Sequence, residues 1–177
     1  MPSILHSARL TMRPLGLGDF GAYAAMLADP EVTRFLGSGA TLSAHEAWRH
    51  LAMLIGHWEL RGFGMWAVTE RGRDEMIGRV GFFEPEGWPG FEIGWTFARH
   101  AWGRGYATEC ARIALEHAFG AMRRNKVISV IHPENAASIQ VARKIGEAFE
   151  REATVNGEPR HIYAIDRPLR RPGTPAG

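Results

Sequence analysis

A chain of 177 residues, 45% hydrophobic and 23% charged, is long enough for one domain with its own apolar core and short for two. Its formal net charge of +2 suits a small anionic ligand but is too slight for the basic stripe of a nucleic-acid binder. The single cysteine, Cys110, can make neither an internal disulfide nor a zinc site, which points to a reducing compartment.

The first strand is expected at Ala8 to Leu15, where Leu10 and Met12 alternate with Arg9, Thr11 and Arg13. Asp19 is placed to cap a helix through about Ala28, and Asp29-Pro30 ends it. A second helix is expected from Ser43 to Leu60, because Ser43 and Glu46 have capping-box spacing and Trp48, Leu51, Leu54, Ile55 and Trp58 form an apolar stripe. Two strands, Met65 to Glu70 and Met76 to Glu84, read as a hairpin around a polar turn. After a loop at 85–90 comes a strand, Phe91 to Ala98. Its residues Phe91, Ile93, Trp95 and Phe97 face one way, and Glu92, Gly94, Thr96 and Ala98 the other. A long helix follows from Gly105 to Met122, with Ala107, Ala111, Ala114, Leu115 and Ala118 on its buried face. Val127 to Ile131 is apolar and β-branched, as a central strand is. Glu134-Asn135 opens a helix through Ile145. Phe149 to Val155 and His161 to Asp166 close the chain as a hairpin across Asn156-Gly157.

The order β-α-α-β-β-β-α-β-α-β-β is that of a mixed α/β sheet with a parallel βαβ step in its middle. Residues 1–169 are expected to form one domain, and the Pro- and Gly-rich stretch 170–177 a disordered tail. The N-terminal residues lack the pattern of a signal peptide and no apolar run has the length of a membrane span, so a cytoplasmic protein is expected.

The chemistry concentrates where the strand Phe91 to Ala98 runs through Gly103-Arg104-Gly105 into a helix. The first N–H groups of a helix have no intrahelical acceptor and carry partial positive charge, and glycines let an anion approach them. The residues by themselves leave two readings open: an anion pocket of unnamed ligand, or a tight turn that binds nothing.

Gly103-Arg104-Gly105-Tyr106-Ala107-Thr108-Glu109 resembles the acyl-coenzyme A turn of the GNAT N-acetyltransferase superfamily, in the branch that holds the ribosomal-protein N-terminal alanine acetyltransferases. The resemblance extends along most of the chain. Arg9-Leu10-Thr11-Met12-Arg13-Pro14-Leu15 is similar to that branch's opening strand, Ile77-Gly78-Arg79-Val80-Gly81 to its third, and Glu92-Ile93-Gly94-Trp95 to its fourth. Asn135-Ala136-Ala137-Ser138 is similar to the start of the helix after its fifth strand.

The resemblance implies an acetyl-CoA-dependent N-acetyltransferase without a metal, whose fourth and fifth strands splay apart. The backbone of Thr96, Phe97 and Ala98 would pair with the pantetheine amides. The turn Trp102, Gly103, Arg104, Gly105, Tyr106, Ala107 and Thr108 would hold the pyrophosphate, and Asn135 and Ser138 would reach the pantetheine arm from the other side. Gly94 marks either a bulge where the splay begins or a place where a neighbouring side chain packs. The chain departs from the family pattern at His100, the first position of the Arg/Gln-x-x-Gly-x-Gly/Ala motif. It departs again at Ala142, where some members carry a tyrosine as the acid for the thiolate, and at Gly146-Glu147 in place of Gly-Phe.

The implied reaction is direct attack of an amine on the thioester, in which a base must take a proton from the protonated amine. Glu92, on the cofactor strand, is the candidate; the rival reading is a glutamate that orders a loop or attracts the amine. Cys110 reads as packing within its helix. The acceptor is an amine, a protein N-terminus or a small molecule, with no nucleic acid or membrane partner and a monomer or homodimer as the assembly. A non-catalytic module that binds acyl-coenzyme A as a sensor is the alternative, and it differs at Glu92 and the acceptor cleft.

Two other patterns carry no weight. Gly16-Leu17-Gly18-Asp19-Phe20-Gly21 mimics a dinucleotide loop but follows a charged strand rather than a buried one. His45 and His50 mimic a zinc-protease pair but lie about 140° apart on a helix. No Gly-Lys-Ser/Thr phosphate loop occurs. The set Trp48, Trp58, Trp66 and Trp88 is expected to be mostly core, with Trp88 a candidate lining of the acceptor site.

Overall fold

Alternating apolar residues on successive strands give the sheet two buried faces, and the helices divide between them. The computed structural model describes residues 3–168; the tail expected at 170–177 lies outside them. In chain order the elements are β1 (Leu5–His6), β2 (Leu10–Pro14), α1 (Phe20–Leu27), α2 (Pro30–Thr33), α3 (Ala44–Arg61), β3 (Met65–Glu70), β4 (Met76–Phe83), β5 (Glu92–Phe97), α4 (Tyr106–Phe119), β6 (Lys126–Ile131), α5 (Ala136–Lys144), β7 (Ala148–Val155) and β8 (Glu158–Asp166). They form one mixed sheet in the order β1-β2-β3-β4-β5-β6-β8-β7. Only β5 and β6 run parallel. No helix among the described residues is long and apolar enough to cross a membrane.

Local signals explain most of these boundaries. Ser43 accepts from the Glu46 N–H while Glu46 accepts from the Ser43 N–H, closing the start of α3 as a capping box, and Gly62 at φ 74° ends it. Asn156 (φ 52°) and Gly157 (φ 82°) make the two-residue turn between β7 and β8.

Two local expectations change. Asp19 does not cap α1: its carboxylate turns back to accept from Arg13 at 2.7 and 2.9 Å and from the Gly16 N–H at 2.9 Å. Asp29-Pro30 both ends α1 and starts α2, because Asp29 accepts from the Glu31 N–H and Pro30 sits where a helix needs no donor.

One face of the sheet packs on α4, through Val80, Phe82, Ile93, Phe97, Cys110, Ala111, Ala114 and Ala118. The other packs on α1 and α3, through Tyr23, Leu27, Leu51, Leu54, Met65 and Ala67. Trp66 is core, at 1% exposure, but Trp48 is half exposed, a correction to the expected tryptophan core. It stands on the outer side of α3, where the apolar stripe is wider than the face the sheet covers.

A bulge decides which face β4 offers. Val68 pairs with Gly78 but Thr69 pairs with Met76, so Ile77 is extra. One extra residue reverses the alternation. Val80 and Phe82 consequently join the α4 core, and Arg79 shares the α3 side with Thr96, the residue it faces on β5.

The splay follows from the parallel step. β5 and β6 share a single register pair, Glu92 with Ile128, and then separate. The register of β4 on β5 runs without interruption through Gly81 opposite Gly94, so Gly94 is not a bulge. A Cβ there would lie 3.2 Å from Met65 Cε, so of the two readings of this glycine the structure shows close packing.

Candidate active site

The N-terminus of α4 is open. Gly103 (φ 73°) and Gly105 (φ 77°) take the left-handed conformation that L side chains resist, and nothing lies within 4 Å of a Cβ built on Gly103. The first helical hydrogen bond is Glu109 N–H to the Gly105 carbonyl at 3.0 Å. Before it, the N–H groups of Gly103 to Thr108 have no acceptor among the described residues. The turn is braced from behind. Arg9 donates to the Arg104 carbonyl at 3.0 Å and to Glu109 at 2.8 Å. Tyr106 donates to Glu70 at 2.7 Å, and Arg104 donates to the same oxygen at 3.1 Å. The Arg104 charge is therefore partly engaged by Glu70.

The splay exposes one edge of β5. The Ala98 N–H donates to Ile77 at 2.9 Å and the Ile128 N–H to Phe91 at 3.0 Å. This phase turns the backbone of Thr96 and Ala98 to β4 and that of Ile93, Trp95 and Phe97 to the gap. Of the three residues expected to present their backbone there, Phe97 does so, and Trp95 takes the place of Thr96 and Ala98. The Ile93 carbonyl accepts from Ser129 Oγ at 3.0 Å and the Phe97 carbonyl from Trp102 Nε1 at 2.8 Å. On the far wall, Asn135 caps α5 by accepting from the Ser138 N–H, and Ser138 Oγ accepts from Trp95 Nε1 at 3.3 Å.

The gap opens into a cleft of about 510 Å³ on the α3 side, within the usual range for small-molecule sites. Glu92, Thr96, Asn135, Ser138 and Trp88 all line it; the turn at 102–108 does not. Glu92 accepts from Trp88 Nε1 at 2.7 Å and from the Val130 N–H at 3.4 Å, bridging the strands where their own pairing fails. Removal from water pushes its carboxyl up to about 7; the Trp88 and Val130 hydrogen bonds and the Arg79 charge oppose that shift. A carboxyl so placed is a base poised near neutral pH.

Two further groups line this cleft, His50 and Arg79, and a third, Glu147, touches its lining at Ser129. His50 shares a 2.6 Å contact between Nδ1 and the Tyr23 hydroxyl. Burial and then the Arg79 charge push it down to about 4, so it is neutral. The Arg79 side chain lines the cleft, and its buried Nε has no hydrogen-bond partner. Glu147, 3% exposed, lies 3.1 Å from Ser129 Oγ. Ser129 has one proton and the Ile93 carbonyl can only accept it, so the two contacts together need a second proton, held by Glu147. Burial pushes that carboxyl up to about 8, and the Glu92 charge adds to the shift.

None of these three has a local sequence signal. Tyr23 and His50 meet across 27 positions, and Ser129 and Glu147 across 18. The one hint was Glu147, a carboxylate where the family pattern has an aromatic. Cys110 is fully buried in α4, and burial pushes its thiol up to about 12. No cluster of three potential metal-binding side chains occurs among the described residues.

The family model described as acetyltransferase (GNAT) domain matches residues 9–147. An uncharacterized N-acetyltransferase, p20, of Bacillus licheniformis is 28% identical over 150 residues, covering 84% of this chain and 83% of that protein. The crystal structure of an acetyltransferase from Agrobacterium tumefaciens superposes with a TM-score of 0.83 at 29% identity, covering 93% of this chain and 95% of that one. RimL, a ribosomal-protein alpha-N-acetyltransferase in complex with coenzyme A, shares the fold with a TM-score of 0.76 at 20% identity, over 93% of this chain and 98% of its own. The chain belongs to the GNAT acetyltransferases.

Proposed function

We propose that this GNAT acetyltransferase moves an acetyl group from acetyl-CoA to a primary amine by direct attack in a ternary complex, with Glu92 as the base. The observation that carries the reading is Glu92 itself. It stands at the start of the splay, hydrogen-bonded to Trp88, with its carboxyl pushed up to about 7.

The residues fit the donor. The open N–H groups from Gly103 to Thr108 match the pyrophosphate oxygens, and the free edge of β5 at Trp95 and Phe97 matches the pantetheine amides. Asn135 and Ser138 form the facing wall. Acetyl-CoA supplies the thioester. Glu92, directly or through one water, takes the proton that the amine must lose. The N–C bond forms as the C–S bond breaks, the nitrogen gives up its second proton to solvent, and the sulfur leaves as a thiolate. Ala142 cannot protonate it, being an alanine packed against Ile131 and Tyr163.

The acceptor, a protein N-terminus or a small molecule, enters over the α3 side. Thermal shift with acetyl-CoA, followed by thiol release with a panel of amines, tests the reading. Release that needs both an amine and Glu92 supports it. Binding with no release on any amine overturns it in favour of a sensor, and no binding overturns both.

A further inference from the structure

Among the arginines that pack into this molecule, Arg79 stands apart. Arg13 is held bidentately by Asp19, Arg9 by Glu109, Arg99 by Asp29 and Arg104 by Glu70. Arg160, the other arginine of the cleft, donates to the carbonyls of Pro159 and Gly37. Arg79 has no ion pair or hydrogen bond among the described residues, and its Nε is buried. A buried guanidinium N–H without an acceptor is costly, and a ligand carboxylate that meets Nε and a terminal nitrogen removes that cost with two parallel hydrogen bonds.

Its place on the sheet says which ligand could reach it. On the cleft side three rows of paired residues follow one another: Arg79 with Thr96, Gly81 with Gly94, and Phe83 with Glu92. The middle row carries no side chains. The floor between the cation and the candidate base is thus bare backbone, overlain by the flexible end of Met65. His50 and Tyr23 satisfy each other, and His50 is neutral, so neither supplies the missing anion.

We infer that the cleft takes an amine acceptor that also carries a carboxylate, a free amino acid, with its amine toward Glu92 and its carboxylate on Arg79. This rests on the transfer reading above and narrows its acceptor. A protein N-terminus presents the same amine, but its first carboxyl is tied up in a peptide bond. A free amino acid keeps that charge, and a polyamine brings a second positive charge to Arg79 instead.

The test pairs each of a set of L-amino acids with its own amide, which keeps the shape and the amine and also mimics a peptide N-terminus. Thiol release from acetyl-CoA is measured for the wild type, Arg79→Gln and Arg79→Lys. Binding is read separately, by tryptophan fluorescence in the presence of coenzyme A, since Trp88 and Trp95 line the cleft. The expected result is a preference in kcat/KM for acid over amide of about ten- to a hundredfold. That preference collapses toward one in Arg79→Gln and partly survives in Arg79→Lys, while the affinity for acetyl-CoA stays the same in all three.

Three outcomes overturn the inference. One is equal use of acid and amide by the wild type, and another is a preference that persists in a folded Arg79→Gln. The third is a loss of acetyl-CoA affinity in that variant, which would put Arg79 on the donor. Amino acids that bind in an Arg79-dependent way without any thiol release would sink the transfer reading and leave the carboxylate site standing.

Discussion

At the start of α4 the N–H groups of Gly103 to Thr108 lie open, whereas Ser43 and Asn135 close the starts of α3 and α5 with their own side chains. The same kind of helix start is sealed by a side chain at α3 and α5 and left free at α4, where two left-handed glycines remove the side chains an anion would meet. The cleft beside it is built the other way. There the reactive potential lies in side chains, Glu92, Arg79 and His50, drawn from β5, β4 and α3. A backbone site is generic and binds what every acetyl transfer shares. A side-chain site is particular and can select what differs from one acceptor to the next.

If the two regions are separable, changes in one should leave the other's measurable intact. The largest effect is expected for Glu92→Gln, which should lower kcat by about a hundred- to ten-thousandfold and leave the dissociation constant for acetyl-CoA unchanged. In the wild type, activity should rise with pH through about 7, as Glu92 loses the proton that makes it useless as a base. An equal loss in both measurables would break the division.

Gly105→Ala reverses the pattern. A side chain at φ 77° costs about 1–2 kcal/mol, so affinity for acetyl-CoA should fall about tenfold by calorimetric titration while kcat at saturation holds.

A subtler difference concerns pH and stability. Glu147 and Glu92 are raised to about 8 and about 7, so the folded chain holds protons that the unfolded chain has released. That contribution is complete below the ordinary carboxylate value and is lost as pH rises through the folded values. His50, lowered to about 4, acts oppositely, losing stability only as pH falls below its ordinary range. Between about pH 6.5 and 8.5 the carboxyls therefore dominate this comparison. Melting temperatures across that window should fall for the wild type relative to Glu147→Gln, which cannot ionise. Parallel curves would remove Glu147 from the account.

The smallest effect should come from Cys110→Ala. A fully buried thiol pushed up to about 12 is no nucleophile, so activity should stay within about twofold and stability fall by about 1 kcal/mol. Loss of thiol release in a folded variant would revive a covalent relay.

The turn was legible in the sequence because its information is local: glycines that allow positive φ, after a strand and before an amphipathic helix. The same holds for the capping box at Ser43 and Glu46 and the Asn156-Gly157 hairpin. Glu92 was found through the resemblance, and its alternation placed it opposite Ile93 and Trp95. The backbone phase of β5 was not legible, since it depends on which carbonyl of β4 the Ala98 N–H meets.

From the order of residues alone came the element order apart from the short β1 and α2, the parallel step between β5 and β6, and the open, glycine-bounded start of α4. All three follow from periodicities and turn chemistry within a few residues of one another. The tertiary structure decided the rest. The extra residue at Ile77 sends Arg79 to the cleft, and the failed pairing beyond Glu92 and Ile128 opens the gap. Folding brings Glu147 beneath Ser129 and His50 against Tyr23. The physical reason is that register and burial are properties of pairs of distant segments. A sheet that alternates every second residue turns a single inserted residue into a choice of face.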